Sequence, residues 1–262
     1  MDQANRINKL FKEKQDILSV YFTAGFPQLD DTGTILAALQ QGGADLVEIG
    51  IPYSDPVADG PTIQESNQQA LNNGMTIVRL FEQLYNIRSS INIPLILMGY
   101  INPVMQFGIE NFCKKCQEIG IDGLILPDLP MYEYLSDYKV IFEKYGLRNI
   151  FLITPQTSEQ RIKEIDQHSN GFIYMVSSAS ITGAKGEITK DQTEYFERVK
   201  ALNLKNPTVI GFGISNHATF STVCKYADGA IIGSAFINLL KESTEPIQKS
   251  IQNFINTIKA WK

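Results

Sequence analysis

The chain is poor in the residues that bind metals or cross-link a fold. Its 262 residues include three cysteines, two histidines and one tryptophan. Cys113, Cys116 and Cys224 are too sparse, and odd in number, for a disulfide framework, and fit a reducing compartment. Cys113-Lys114-Lys115-Cys116 has a CxxC spacing but lies in a helical stretch with no second pair. With His168 and His217 as the only histidines, a zinc site is disfavoured, and with it metal-dependent aldol chemistry. There is no excess of positive charge either. The balance of 23 Lys+Arg against 28 Asp+Glu, net −5, argues against a nucleic-acid partner and leaves room only for local small-anion sites. No apolar run approaches the roughly 20 residues that cross a bilayer. Residues 1–16 are charged, with Ile7, Leu10 and Phe11 at helical spacing, so they read as an amphipathic opening helix and not as a signal peptide. The expectation is a soluble, cytoplasmic protein without a membrane partner.

What the chain has is a repeat of short apolar runs, at 17–23, 45–50, 94–99, 123–127, 149–154, 172–177, 208–211 and 229–233. Stretches of helical periodicity lie between them, at 34–41, 78–87, 109–119 and 160–167 among others. Eight strand–helix units with no linker or low-complexity segment predict a single domain over 1–262. The fold class is α/β, a (β/α)8 TIM barrel with an extra N-terminal helix and a short helix after strand 8. The second and sixth units are the longest, by roughly 10 to 20 residues over a compact unit. In such barrels chemistry sits in the loops after the strands, so the extra length nominates residues 51–61 and 178–189.

The first of these loops follows a strand with an unusual residue. Alternation puts Leu46, Glu48 and Gly50 on one face and Val47 and Ile49 on the other. The apolar pair must meet the helices, which turns Glu48 into the barrel. A carboxylate desolvated there has a raised pKa and suits acid–base work near neutral pH, the other reading being an interior glutamate satisfied by a hydrogen bond. Asp55 and Asp59 follow in a proline-rich loop, as catalytic groups or as caps and turn-formers. Asp128, in Leu126-Pro127-Asp128-Leu129-Pro130, is a further carboxylate at the rim.

Glycines recur at the last strand ends, in Thr182-Gly183, Gly211-Phe212-Gly213-Ile214-Ser215 and Gly233-Ser234-Ala235. The last set opens a helical run at 235–240, so backbone N–H groups and the helix dipole there make a phosphate site that needs no Arg or Lys. Phe22, Met98, Tyr100, Ile125, Tyr174, Phe212 and Ile232 fall at strand ends, as core or as the wall of a pocket for a flat aromatic body. A Schiff base would need a lysine inside the barrel, and no strand run contains one. Carboxylate acid–base chemistry on a phosphorylated substrate remains.

Taken together these motifs resemble the tryptophan synthase alpha chain family over essentially the whole chain. The run from Glu48-Ile49-Gly50 through Asp59-Gly60-Pro61 matches that family's signature almost residue for residue. Tyr21-Phe22-Thr23-Ala24-Gly25, Met98-Gly99-Tyr100-Ile101-Asn102-Pro103, Pro127-Asp128-Leu129-Pro130 and Gly211-Phe212-Gly213-Ile214 match in order. The resemblance implies retro-aldol cleavage of indole-3-glycerol phosphate to indole and glyceraldehyde 3-phosphate. It makes Glu48 the proton-transfer residue and Asp59 the group that holds the indole N–H. Gly183, Gly213, Gly233 and Ser234 are then the phosphate site, and Phe22, Tyr100, Tyr174, Phe212 and Ile232 surround the substrate. Thr182 meets Asp59 when the loop after strand 6 closes.

The family works with a beta chain in an assembly of two alpha and two beta chains, and indole passes internally between them. That partner carries pyridoxal phosphate, so no cofactor is expected on this chain. The loops after strands 2 and 6, with residues 52–55 and 102–105, would face it. The chain departs from the family at Ser178, often an arginine, and Ser180, usually a glycine, which puts the anchoring of the closing loop in question. A stand-alone indole-3-glycerol phosphate lyase, a phosphate-binding isomerase and a non-catalytic activator of a beta chain are the competing readings. The Glu48/Asp59 pair argues against the last two.

Overall fold

A computed structural model of the protein describes residues 5–56, 59–177, 188–211 and 213–260. Nine strands form one parallel sheet: β1 Ile17–Thr23, β2 Leu46–Gly50, β3 Leu95–Met98, β4 Gly123–Ile125, β5 Arg148–Asn149, β6 Phe151–Ile153, β7 Ile173–Val176, β8 Thr208–Gly211 and β9 Gly229–Ile232. Their order is β5-β4-β3-β2-β1-β9-β8-β7-β6. The two strands at the ends of this order are one extended run interrupted at Ile150, whose N–H donates to Leu124 O at 2.9 Å. The ring therefore closes through the chain itself, as an eight-stranded barrel whose fifth strand is broken in two. The sequence reads 149–154 as a single strand. The break lets one half follow β4 and the other follow β7.

Side-chain alternation divides the apolar residues into two cores. Val47 and Ile49 belong to the larger one, between strands and helices. Leu46 joins Ile17, Ile96, Ile125, Ile150, Phe172, Val209 and Ile231 in the barrel interior. The helix Arg6–Glu13 stoppers the end where the strands begin. Asn5 caps it by accepting from Ile7 N, and fully buried Ile7 packs among the interior residues with Leu10 and Phe11 beside it. The expected opening helix and its apolar face are both present. The predicted helix at 109–119 appears as Ile109–Ile119, with Cys113 and Cys116 buried on its inner side. Their thiols are pushed up by burial, Cys113 to about 12, as expected of packing groups and not of redox partners.

A recurring device at the closed end was missed in the sequence. Asp45, immediately before β2, donates its N–H to Leu18 O and accepts Leu18 N–H at Oδ2, both at 2.9 Å. Asp122 treats Leu95 identically ahead of β4, and Asp228 treats Thr208 so ahead of β9. Each aspartate locks a strand start to its neighbour. Two are held in turn by cations: Asp45 by Lys14 and Lys259, at 2.8 and 2.6 Å, and Asp122 by Arg6 and Arg88, at 3.0 and 2.6 Å. The signal was an aspartate ahead of an apolar run in Gly43-Ala44-Asp45, Gly120-Ile121-Asp122 and Tyr226-Ala227-Asp228. Among the described residues no helix is long and apolar enough to cross a membrane.

Candidate active site

β1 and β2 lie side by side with Tyr21 opposite Glu48 and Thr23 opposite Gly50. Glu48 is fully buried. Ser19, two residues before Tyr21 on the same face, donates its hydroxyl to Glu48 Oε1 at 2.8 Å. Glu48 Oε2 has no hydrogen-bond partner among the described residues. Burial raises the Glu48 carboxyl to about 8, and the Ser19 hydrogen bond pulls in the opposite direction. The carboxyl is therefore protonated near neutrality and close to the point where it titrates.

Asp59 enters from the loop after β2 and is almost completely buried. Burial raises its pKa, and hydrogen bonds from Tyr100 and Asn67 lower it. Tyr100 Oη donates to Asp59 Oδ2 at 3.2 Å, and the Tyr53 ring lies 5.0 Å from the Tyr100 ring, centroid to centroid. Asn67 comes from the helix Pro61–Asn72, which Pro61 opens directly after the loop. That helix thus returns a donor to the carboxylate that precedes it.

Two tyrosines complete the buried group. Tyr21 on β1 and Tyr174 on β7 both feel the charges of Glu48 and Asp59, and their phenols are pushed well up, chiefly by burial. Glycine makes room for each. A Cβ on Gly50 would collide with Tyr21 Oη, and one on Gly211 with Tyr174 Oη. Glu48, Asp59, Tyr21, Tyr100 and Tyr174 form one acid and phenol cluster where the strands end.

Two expected wall residues are displaced by one position. Phe22 and Ile232 are fully buried in the core between strands and helices. Alternation puts Tyr21 and Ile231 inward in their place, and Ile231 belongs to the interior core. The period-two rule that turned Glu48 inward gives the same answer on β1 and β9. Asp128 is no free rim carboxylate: it accepts Ile101 N–H at 3.0 and 3.2 Å and so caps the helix Ile101–Phe107. Asp55 is exposed and accepts from Ser54, a local turn contact.

Gly233 precedes the helix Ser234–Glu242, with Ser234 exposed at its first position. Gly213 is exposed at φ +76°, with open space where a side chain would stand. Thr182, Gly183, Phe212, Ser178 and Ser180 lie outside the described residues. Among the described residues, no group of three His, Cys, Asp or Glu side chains is placed to hold a metal ion. A polar cleft of about 620 Å³, lined by Lys14, Asp45, His217, Cys224 and Lys259 among others, lies at the opposite end of the barrel and contains none of the candidate residues.

A parallel β/α barrel with a desolvated glutamate and aspartate at the strand ends, beside glycine-rich loops, belongs to the class of barrels built for acid–base chemistry on small molecules. A sequence model of the tryptophan synthase alpha chain matches residues 7–262. The tryptophan synthase alpha chain of Flavobacterium johnsoniae is 60% identical over 255 residues, covering 97% of this chain and 100% of that one. The solved alpha subunit of Legionella pneumophila superposes with a TM-score of 0.88 at 34% identity, over 98% of this chain and 97% of that one. The tryptophan synthase complex of Pyrococcus furiosus contains a chain that matches with a TM-score of 0.86 at 32% identity, over 95% and 99%. The chain belongs to the tryptophan synthase alpha chain family.

Proposed function

We propose that this chain cleaves indole-3-glycerol phosphate to indole and glyceraldehyde 3-phosphate. The observation that carries the reading is Glu48: a buried carboxyl, protonated near neutrality, with one oxygen held and the other without a partner among the described residues. Glu48 gives its proton to indole C3, which makes the ring a cationic leaving group. The C3–C1′ bond then breaks, its electrons return to the ring, and the C1′ hydroxyl becomes the aldehyde as its proton passes to the Glu48 carboxylate. The glutamate ends as it began, so no outside acid or base is consumed. Asp59, whose charged form is favoured by donors from Tyr100 and Asn67 against the opposing and larger effect of burial, accepts from the indole N–H and stabilises the positive charge that develops there. Tyr21 and Tyr174 exclude water beside the pair. Gly213, with Gly233 and Ser234 at the helix start, offers backbone N–H groups to the phosphate, joined by Gly183.

The reading includes a beta chain that receives the indole and carries pyridoxal phosphate, in an assembly of two alpha and two beta chains. Tyr53 on the loop after β2, exposed Met105 on the helix Ile101–Phe107 after β3 and exposed Tyr132 on the short helix Met131–Glu133 after β4 follow the strand ends on the site's side of the barrel and suit such a docking face. The test is indole release by the purified chain, alone and with a matching beta chain, alongside Glu48→Gln. Slow release alone, acceleration by the partner and a loss of at least about 100-fold in the variant are expected. Fast release without a partner points to a stand-alone lyase, and full activity in Glu48→Gln overturns the assignment of Glu48.

A further inference from the structure

We propose that Ser19 is a positioning residue for Glu48: by donating to Oε1 it fixes the rotation of the carboxyl and leaves Oε2 as the atom that gives up and recovers the proton. This rests on the reading of Glu48 as the proton-transfer group. Both residues are buried, Ser19 at 1% exposure and Glu48 at 0%, and they sit on paired strands. The hydrogen bond is 2.8 Å, and no other protein donor reaches either Glu48 oxygen among the described residues. The two oxygens of a carboxyl are chemically alike until something distinguishes them. Here the serine does. An oxygen that accepts a hydrogen bond is the poorer site for the acid proton, so the O–H of neutral Glu48 belongs on Oε2.

Among the described residues no other group is hydrogen-bonded to the Glu48 carboxyl. Tyr21 faces it from β1 and Tyr174 from β7; Asp59 faces it from the loop after β2, and all three are neutral or negative. Ile96 lies opposite on β3 and is apolar. No strand run supplies a lysine, and among the described residues no cation is bonded to the carboxyl. A serine at this position also sets how far burial moves the titration. Its donated bond favours the charged form and thereby opposes desolvation, the larger effect.

The experiment measures indole release against pH for the native chain and for Ser19→Ala, Ser19→Thr and Glu48→Gln, each in complex with a matching beta chain. Glu48 must start protonated, so activity falls on the alkaline side as it ionises. Without the serine hydroxyl, the carboxylate loses its donor and its pKa rises further. In Ser19→Ala the alkaline limb is therefore expected to move to higher pH, while kcat at neutral pH falls about tenfold and KM changes by less than about twofold. Ser19→Thr keeps the hydroxyl and brings the limb back. A merely structural serine would lower thermal stability and leave the limb in place. An unmoved limb in an active Ser19→Ala enzyme, with Glu48→Gln inactive, overturns the positioning role and leaves Glu48 standing. Retained activity in Glu48→Gln overturns the reading beneath it.

Discussion

Glu48 holds a proton in the folded chain over a range where a free glutamate would have lost it. Its carboxyl titrates near 8 when buried, against 4.5 when unburied. Between those values the folded state binds more protons than the unfolded state, so stability falls as pH rises from about 4.5 to about 8. Glutamine has no such dependence. Glu48→Gln is accordingly expected to gain stability relative to the native chain across this window, and to hold a lead of a few kcal/mol above it. Urea unfolding at pH 5 and pH 8.5 checks this, and a constant difference between the two would show that Glu48 is not desolvated. Asp59 depends on its neighbours in the opposite sense. Tyr100→Phe removes a donor to the carboxylate, should raise its pKa further, and should cost indole release about tenfold at neutral pH. A pH–rate profile with its acidic limb shifted upward is the signature.

Strands and loops decide which of these residues can meet, and they also decide what could be read in advance. Alternation along β2 was enough to turn Glu48 inward because Val47 and Ile49 name the outer face. On β1 and β9 both faces carry apolar residues, so hydrophobicity alone does not separate Tyr21 from Phe22 or Ile231 from Ile232; the parity has to be carried across from the paired strand. Asp59 could be suspected only through its motif. Its role depends on Tyr100, 41 residues away in sequence, and on Asn67 from the following helix, and no local pattern announces either contact. Ser19 was invisible for the same reason: a serine within an apolar strand says nothing until its partner is known. The glycines were legible as a set, but the job of Gly50 and Gly211 was not, since each yields space to a ring on a neighbouring strand. Gly211→Ala should force the Tyr174 ring aside, cost about 1–3 kcal/mol and depress indole release at least tenfold. Gly33→Ala, on an open helix surface where a Cβ meets nothing, serves as the control that leaves activity intact. Thermal melting and a single-point assay on both variants separate the two cases.

The barrel assigns its two ends different work. Asp45, Asp122 and Asp228 tie strand starts together at the end away from the site, where the opening helix stoppers the interior. Asp122→Ala would leave Arg88 without its carboxylate partner and Leu95 N–H without its acceptor, and is expected to cost about 3–5 kcal/mol. The alkaline limb of the folded fraction should be unchanged, which a combined denaturation and pH–rate measurement tests. The same ring has a temporal aspect. β1 pairs with β2 on one side and with β9 on the other, more than 200 residues later, and the helix Ile247–Lys259 closes over the helix Thr32–Gly42, with Gly42 against Ile255. While a ribosome is still making the middle of the chain, β1 has one neighbour and an open edge of unpaired backbone groups. At roughly 5–20 residues per second that edge waits on the order of ten seconds or more for β9 to emerge. For that interval a newborn chain depends on whatever shields an unpaired strand in the cell.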